Sequence, residues 1–528
     1  MADHVRIKKL GDLMVEVSPE IPVDMVNVTV SGITADSRQV TPGMLFVAVR
    51  GGSSDGHHYI QEAVKRGCVA VLAAEDVPAI DCDVPVITVP DTRSAMGYLA
   101  AAFYDFPARE MTMIGITGTN GKTTSSYILE KFIQEAGGIP GVVGTINIRY
   151  LDVTLEAMLT TPEAMEIHRQ LRLMADHGVT HVVMEVSSHG LEQERVNAIL
   201  FDVALFTNLS RDHLDFHGSM ESYFAAKKRL FANHMNDTGT AVVVLSQSVT
   251  GGNGDWGKRL AEFLSEKTRL KVVTCGIQYG DVRALKYSFS LEGTSAEIIS
   301  NDTVFSIETP LVGAFNLENV LGCITCGLVL GYGMESMQPT LATLESIPGR
   351  LERVKVVQDD NEPVLRDVFV DYAHTPEALQ HVLQTIRSLN PDRLVVVFGC
   401  GGDRDRGKRP LIGEVAGRLS DVCLVTSDNP RSESPQEILN DIETGLQGIS
   451  AVKIDSTRLS RNPSLRGYDI IESRRDAIKR AIEVSRPGDV ILICGKGHES
   501  YQIKRSGRIF FDDRQEARKQ LERIRQAA

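Results

Sequence analysis

Short apolar runs, each closed by polar residues and separated from the next by an amphipathic stretch, recur from one end of the chain to the other. Runs this short read as buried strands, and the 3.6-residue spacing between them reads as helices. Alternating strand and helix implies parallel sheets covered on both faces, so an α/β protein is expected. In residues 1–108, VAVLA and VPVITV are strand-like and HHYIQEAVKRG is helical. In 109–347 the strands fall at 111–116, 141–143, 180–186, 203–207 and 241–245, with a helix at 125–136 and another in PEAMEIHRQLRLMADHG. In 348–528, VFVDYA, LVVVFGC, VCLVTSDNP and VILICGKG outline a second doubly wound sheet. A chain of 528 residues is too long for one core, and these three segments are the expected domains.

Ligands of open α/β sheets gather beyond the carboxyl ends of the strands. The run 111–116 leads into Gly118, Thr119, Asn120, Gly121, Lys122, Thr123 and Thr124. Backbone N–H groups of such a loop, with the helix N-terminus behind it, can surround an anion. Lys122 is then placed for outer phosphates and Thr123 for Mg²⁺. The general phosphate-loop pattern wants glycine five residues before the Gly-Lys pair, where Ile116 stands, so TGTNGKT reads as a tighter variant. Glu185, Ser187, Ser188 and His189 close the next strand, and Asn208, Asp212 and His213 the one after. Together these donors suit Mg²⁺ with phosphate oxygens supplied by a nucleotide. Singly, each also fits a helix cap or a satisfied surface group.

Lys227, Lys228 and Arg229 read as a basic helix face. Asn316 and Asn319 lie three apart on one face, where their amides can read a base or ribose or cap a neighbouring loop. The last segment ends its strands in Asp371 and His374, in a basic run with Arg404, Arg406, Lys408 and Arg409, in DNPRSESP and in GKGHESYQ. Ser434, Pro435 and Glu437 read as a capping box, which leaves 428–431 in a loop feeding a helix N-terminus, where arginine can grip a carboxylate bidentately.

The net charge of −13 argues against nucleic acid as a main partner. No apolar run approaches the ~18 residues of a membrane span, and 1–13 lacks a signal-peptide apolar region, so no membrane association and a cytoplasmic location are expected. Cys323 and Cys326 form a CxxC inside an apolar helical stretch without a second pair, which reads as core packing rather than zinc. Residues 248–257 and 357–363 read as surface excursions.

In order along the chain, TGTNGKTT, MEVSSHGLEQERV, TNLSRDHLDFHG, YFAAKKRLF, GAFNLEN, IPGRLERV, VDYAHTPEAL, FGCGGDRDRGKRP, DNPR and GKGHESYQ resemble the signature series of the Mur ligases, and more narrowly of the members that add diaminopimelate. The resemblance implies a central P-loop-type parallel-sheet ATPase domain, flanked by a small N-terminal α/β domain holding the UDP end of the substrate and a C-terminal Rossmann-like domain binding the amino acid. It implies ATP and Mg²⁺ as cofactors, a UDP-linked muramoyl dipeptide and meso-diaminopimelate as substrates, and a monomer. Asn316, Arg350 and Asp371 resemble nucleotide contacts that join the loop residues 118–124. Ser37 resembles a UDP-sugar contact, and Thr160, Thr161, Ser187, Gln193 and Arg195 resemble the set that holds the muramoyl peptide. Lys122, Glu185, His213 and Lys227 resemble the catalytic set, with Thr123, Glu185, His213 and a CO₂-derived carbamate on Lys227 around the metal. Arg404, Asp428, Asn429, Pro430, Arg431, Gly495 and Glu499 resemble the diaminopimelate site, Arg431 meeting the distal carboxylate that lysine lacks and Glu499 suiting the distal ammonium. The implied reaction is ADP-forming amide synthesis through an acyl phosphate. A folylpolyglutamate synthetase-like ligase and a catalytically retired scaffold are the competing readings. Ser246 and Gln247 depart from the family, standing where relatives carry an Asn/Asp-rich turn; Asp255 and Trp256 would keep part of it.

Overall fold

The computed structural model describes residues 6–17, 21–51, 54–78, 81–246, 255–356, 366–459, 462 and 464–527. Gln247 and most of the two surface excursions lie outside the described residues. Two compact units are formed: Met1–Arg283 with Ile299–Thr303 and Glu318–Thr340, and Ala284–Ile298 with Val304–Leu317 and Leu341–Ala528.

The first unit opens on a four-stranded parallel sheet in the order Gly32–Thr34, Met44–Val47, Ala70–Ala74, Val86–Val89. Alternation along these strands divides the core. Leu45, Val47 and Leu72 face Leu10, Leu99 and Phe103, whereas Phe46 and Val71 face Ile60 and Ala63.

A second sheet of eleven strands begins in the order Val153–Glu156, Asn147–Tyr150, Pro140–Val143, His181–Glu185, Thr112–Thr117, Phe201–Phe206, Met235–Val244, Lys271–Gly276. The last six of these strands, from Pro140–Val143 to Lys271–Gly276, are mutually parallel. The expected parallel sheet is thus present, and Asn147–Tyr150 and Val153–Glu156 add antiparallel strands at its edge, which makes the whole sheet mixed. Three residues separate Val143 from Asn147, too few for the dozen or so a parallel crossover requires. Chain order reverses around Thr112–Thr117, whose neighbours are His181–Glu185 and Phe201–Phe206. That is a topological switch point, and it brings the ends of three strands around one crevice.

The helix expected at 125–136 begins earlier, as Lys122–Glu135. Gly121, at φ +88°, turns the chain so that Lys122, Thr123 and Thr124 form the first helical turn. Cys323 and Cys326 are both buried, and all eight cysteines are free thiols, as core packing requires.

In the second unit, Asp367–Asp371, Val490–Cys494, Leu394–Phe398, Val422–Val425 and Gly467–Ile470 form a parallel sheet, edged by the antiparallel Glu352–Arg353. Helices Pro376–Ser388, Lys408–Leu419 and Pro435–Gly448 cover one face, and Arg474–Val484 with Asp513–Ala527 the other. Pro435 does open its helix, but the expected capping box is not formed, because the Ser434 side chain makes no cap hydrogen bond. The preceding Glu433 instead accepts from the Asp403 N–H (2.5 Å) and from Arg409 (2.9 Å). No helix among the described residues is long and apolar enough to cross a membrane.

Candidate active site

The loop after Thr112–Thr117 is held open by its neighbours rather than by its own turns. Thr119 N–H donates to the Asn208 carbonyl (2.9 Å), Asn120 N–H to Asn208 Oδ1 (3.0 Å), and Thr207 Oγ1 to the Asn120 carbonyl (2.6 Å). The strand Phe201–Phe206 thus braces the loop through the two residues that follow it. Behind Gly121, the first N–H groups of Lys122–Glu135 lack intrahelical acceptors by the geometry of any helix start, which makes this terminus an anion site.

Two lysines meet on one carbonyl. Lys122 Nζ donates to Gly118 O and Thr119 O, each at 2.9 Å, and Lys227 Nζ donates to Gly118 O at 2.8 Å. Lys227 is 1% exposed and sits 4.5 Å from the Tyr223 ring centroid. Burial, and secondarily the charge of Lys122, hold its ammonium well below the usual lysine range. Its reading as part of a basic outer face is therefore corrected. Lys228 lies over the Phe263 ring at 4.0 Å and Arg229 reaches Glu192 at 3.4 Å, but Lys227 points inward.

Glu185, 1% exposed at the end of its strand, is the hub of the crevice. It accepts from Thr123 Oγ1 (3.0 Å), Ser126 Oγ (3.4 Å), Thr145 Oγ1 (2.7 Å) and the Thr145 N–H (3.2 Å). Thr160 joins through Thr145 Oγ1 at 3.1 Å. Thr161 Oγ1 donates to the Glu185 carbonyl (2.9 Å) and accepts from the Ser187 N–H (2.9 Å). Arg195, also buried, donates to the Thr161 carbonyl (2.8 Å) and to Gln193 Oε1 (2.6 Å). Phosphate-loop hydroxyl, carboxylate and the residues expected to hold the muramoyl peptide form one connected network.

His213 stands at the rim, half exposed and with φ +51°. Its ring packs edge-on to His189 at 4.8 Å and its Nε2 lies 3.4 Å from Asp212 Oδ2. Among the described residues no three His, Cys, Asp or Glu side chains converge as a metal cage. The donor set present, one carboxylate with a threonine hydroxyl 3.0 Å away and an imidazole at the rim, fits a hard cation that keeps water and phosphate ligands. Ser37, farther along the same unit, is buried and donates to Glu62 Oε2 at 3.2 Å. Asn319 packs against Gly121, where an added Cβ would lie 2.1 Å from Asn319 Oδ1.

The second unit gathers the remaining candidates. Asn316 is buried, and its side-chain amide donates to the Val312 carbonyl (2.9 Å). Asp371 accepts the N–H groups of Leu351 and Ala373, both at 2.7 Å, and so fixes the turn that carries Arg350, whose guanidinium lies 4.8 Å over the Tyr372 ring. Burial, opposed by the nearby Arg350, raises the Asp371 carboxyl above the usual range.

Asp428, Asn429, Pro430 and Arg431 follow the strand Val422–Val425, with Arg431 at φ +52°. A non-glycine residue held left-handed costs roughly 1–2 kcal/mol and persists where surrounding bonds impose it. Here the Arg431 N–H donates to Ile503 O (3.1 Å) and its Nη1 to Gly402 O (2.7 Å). A Cβ on Gly401 would lie 2.9 Å from Arg431 Nη1 and 3.8 Å from Arg404 Cγ, so the two arginines flank one glycine. Asn429 Nδ2 donates to Glu499 Oε2 (2.9 Å), and Gly495, at φ +112°, lets Asp428 Oδ2 approach within 2.6 Å of where its Cβ would stand.

Sequence reasoning missed Ser126, Thr145, Tyr223 and Lys496 as parts of these sites. One signal was available for the helix Met220–Asn233: residue 227 is four after Tyr223 and three before Leu230, both buried, which places Lys227 and Tyr223 on the inward stripe.

Three family domains match the chain: Mur ligase family, catalytic domain, at 29–104; Mur ligase middle domain at 116–327; and Mur ligase, glutamate ligase domain, at 349–497. The chain is similar to the UDP-N-acetylmuramoyl-L-alanyl-D-glutamate–2,6-diaminopimelate ligase of Geobacter metallireducens, with 42% identity over 509 residues covering 96% of this chain and 97% of the relative. The enzyme of the same name from Gloeobacter violaceus is 41% identical over 505 residues, covering 95% and 96%. A solved structure of a ligase of that name is 31% identical with a TM-score of 0.67, covering 97% of this chain and 98% of that one. The folylpolyglutamate synthase of Mycobacterium tuberculosis, 20% identical with a TM-score of 0.58 and covering 76% and 92%, shares the fold.

Proposed function

The chain belongs to the Mur ligase family, and from that premise we propose that it joins meso-2,6-diaminopimelate to the D-glutamyl γ-carboxylate of UDP-N-acetylmuramoyl-L-alanyl-D-glutamate, with ATP converted to ADP and phosphate, as a step of peptidoglycan precursor synthesis. The observation that carries this reading is the unbroken run of hydrogen bonds from Thr123 through Glu185 to Thr161, Ser187 and Arg195, which links a nucleotide loop to a substrate-peptide site at one sheet edge.

The γ-carboxylate oxygen attacks the γ-phosphorus, and the bond to the bridging oxygen of ADP breaks. The amine of diaminopimelate then attacks the resulting acyl phosphate, phosphate leaves and the nitrogen loses a proton. Carboxylate and triphosphate repel, so the chain's main task is to neutralise charge and align the groups in line. Lys122, already turned onto its own loop, supplies a cation beside the phosphates, and the start of Lys122–Glu135 supplies N–H donors. Thr123, Glu185, His213 and a carbamate on Lys227 would hold Mg²⁺, which when bound neutralises phosphate oxygens. The carbamate forms as the neutral amine of Lys227 adds to CO₂ with loss of a proton; burial, and then the charge of Lys122 on the same Gly118 O, favour that neutral amine. Arg195, Gln193, Thr160, Thr161 and Ser187 bind the muramoyl peptide, Ser37 the UDP end, and 428–431 with Arg404, Gly495 and Glu499 the amino acid. UDP-linked substrates and ATP place the reaction in the cytoplasm.

Release of ADP and phosphate is expected only when ATP, the UDP-linked dipeptide and meso-diaminopimelate are all present; AMP and pyrophosphate as products would overturn the reaction class. A Gly121→Ala protein, which must accommodate φ +88° and a Cβ 2.1 Å from Asn319 Oδ1, is expected to lose about 1–3 kcal/mol of stability and most of its ATP affinity. Thermal denaturation and nucleotide titration read the two losses, and unchanged affinity would remove the loop from the nucleotide site.

A further inference from the structure

Lys496 is 0% exposed, follows directly on the strand Val490–Cys494, and its ammonium is surrounded by the acceptors of the candidate amino-acid site. Nζ lies 3.1 Å from Asn429 Oδ1, 3.1 Å from Glu499 Oε2 and 3.4 Å from Asp428 Oδ1. We propose that Lys496 is a positioning residue that sets the choice of amino acid, by making the pocket electrically balanced for a zwitterionic distal end and unfavourable for a bare ammonium. The inference rests on the reading of 428–431 and Glu499 as the diaminopimelate site.

The charges decide it. Asp428 and Glu499 bring two negative charges and Lys496 and Arg431 two positive, so these four sum to zero, while Arg404 of the same site is exposed to solvent and its charge is screened. A distal end with both ammonium and carboxylate adds no net charge to that set. A lysine side chain adds one uncompensated cation close to the buried ammonium of Lys496, and in a site with little water such an imbalance is weakly screened. Without Lys496, Asp428 and Glu499 would be left as an unneutralised pair of carboxylates, which is a good site for a lone ammonium.

The hydrogen bonds show how the effect reaches the substrate groups. Asn429 Oδ1 accepts from Lys496 Nζ and from the Ile503 N–H (2.9 Å), while its Nδ2 donates to Glu499 Oε2. Lys496 therefore fixes the orientation of the Asn429 amide and occupies one lone pair of Glu499. The lysine acts through Asp428, Asn429 and Glu499, not by touching the reacting atoms.

The test compares kcat/KM for meso-diaminopimelate and for L-lysine in the full-length protein and in the Lys496→Gln and Lys496→Gln/Glu499→Gln variants. Glutamine keeps hydrogen-bond donors for Asn429 and Glu499 while removing the charge. The preference for diaminopimelate is expected to narrow at least tenfold in Lys496→Gln and to recover by at least threefold in the double variant, where the charge balance is restored. An equal loss for both amino acids, with the preference unchanged, would reduce Lys496 to a structural pin and overturn the proposal. Should Lys496→Gln not fold, Lys496→Met is measured against the same two outcomes. If Arg431→Ala alters the preference and Lys496→Gln does not, only this inference fails; if neither variant alters it, the assignment of the amino-acid site fails with it.

Discussion

Replacing Lys227 by alanine is expected to lower kcat/KM about 10³-fold, or ~4 kcal/mol of transition-state stabilisation, with partial recovery when formate or another small carboxylate is supplied. The helix Met220–Asn233 buries this lysine completely and delivers its nitrogen to the Gly118 carbonyl, where Lys122 already donates. A second ammonium at that point would oppose a metal ion, whereas a carbamate would bind one. Lys227→Arg separates the two accounts, because arginine keeps a cation in place but forms no stable carbamate. Equal inactivity of the alanine and arginine variants is expected, and full activity of either without added carboxylate would remove the carbamate from the mechanism. Unfolding temperatures measured in parallel distinguish loss of chemistry from loss of packing around Tyr223 and Gly118.

Arg431→Ala is expected to reduce kcat/KM for meso-diaminopimelate by about 10²–10³-fold without loss for L-lysine, since the distal carboxylate that only diaminopimelate carries then loses its charged hydrogen-bond partner. The chain holds this residue at φ +52° and ties its backbone to Ile503 and its guanidinium to Gly402, so the side chain is preset before any substrate arrives. Arg404 flanks the same Gly401. Alanine at a left-handed position is strained too, and Arg431→Lys, which keeps the charge without the planar fork, provides the control; it is expected to recover only part of the preference. An unchanged ratio of the two kcat/KM values in Arg431→Ala would detach the specificity from this loop.

The apolar pattern located each parallel strand of the two large sheets that carries a candidate residue, because runs such as 111–116 and 203–207 are buried on both faces and need no partner to be recognised. It missed the hairpin Asn147–Tyr150 and Val153–Glu156. That hairpin turns at Leu151, which holds φ +46° without the glycine or asparagine that usually marks such a turn. The polar ends of the strands were readable as a group, and Glu185 with Thr123 emerged as neighbours. Thr145 and Ser126 did not, since a hydroxyl in an apolar run carries no pattern until the fold aims it at a carboxylate. Lys496 stood within a recognised motif, but its importance lies in complete burial among Asp428, Asn429 and Glu499, three residues brought to it by other elements. The capping box failed for a comparable reason. Its residues were correctly spaced, but the Ser434 side chain does not bond the helix start, and the adjoining Glu433 is engaged by Asp403 and Arg409 across the loop.

The most direct measurement is the mass and connectivity of the product formed from ATP, UDP-N-acetylmuramoyl-L-alanyl-D-glutamate and meso-diaminopimelate. A UDP-linked tripeptide heavier by one diaminopimelyl residue, with its new amide at the D-glutamyl γ-carboxylate, is the expected product. An unaltered dipeptide beside active ATP hydrolysis, or an amide at the α-carboxylate, would contradict the proposed reaction.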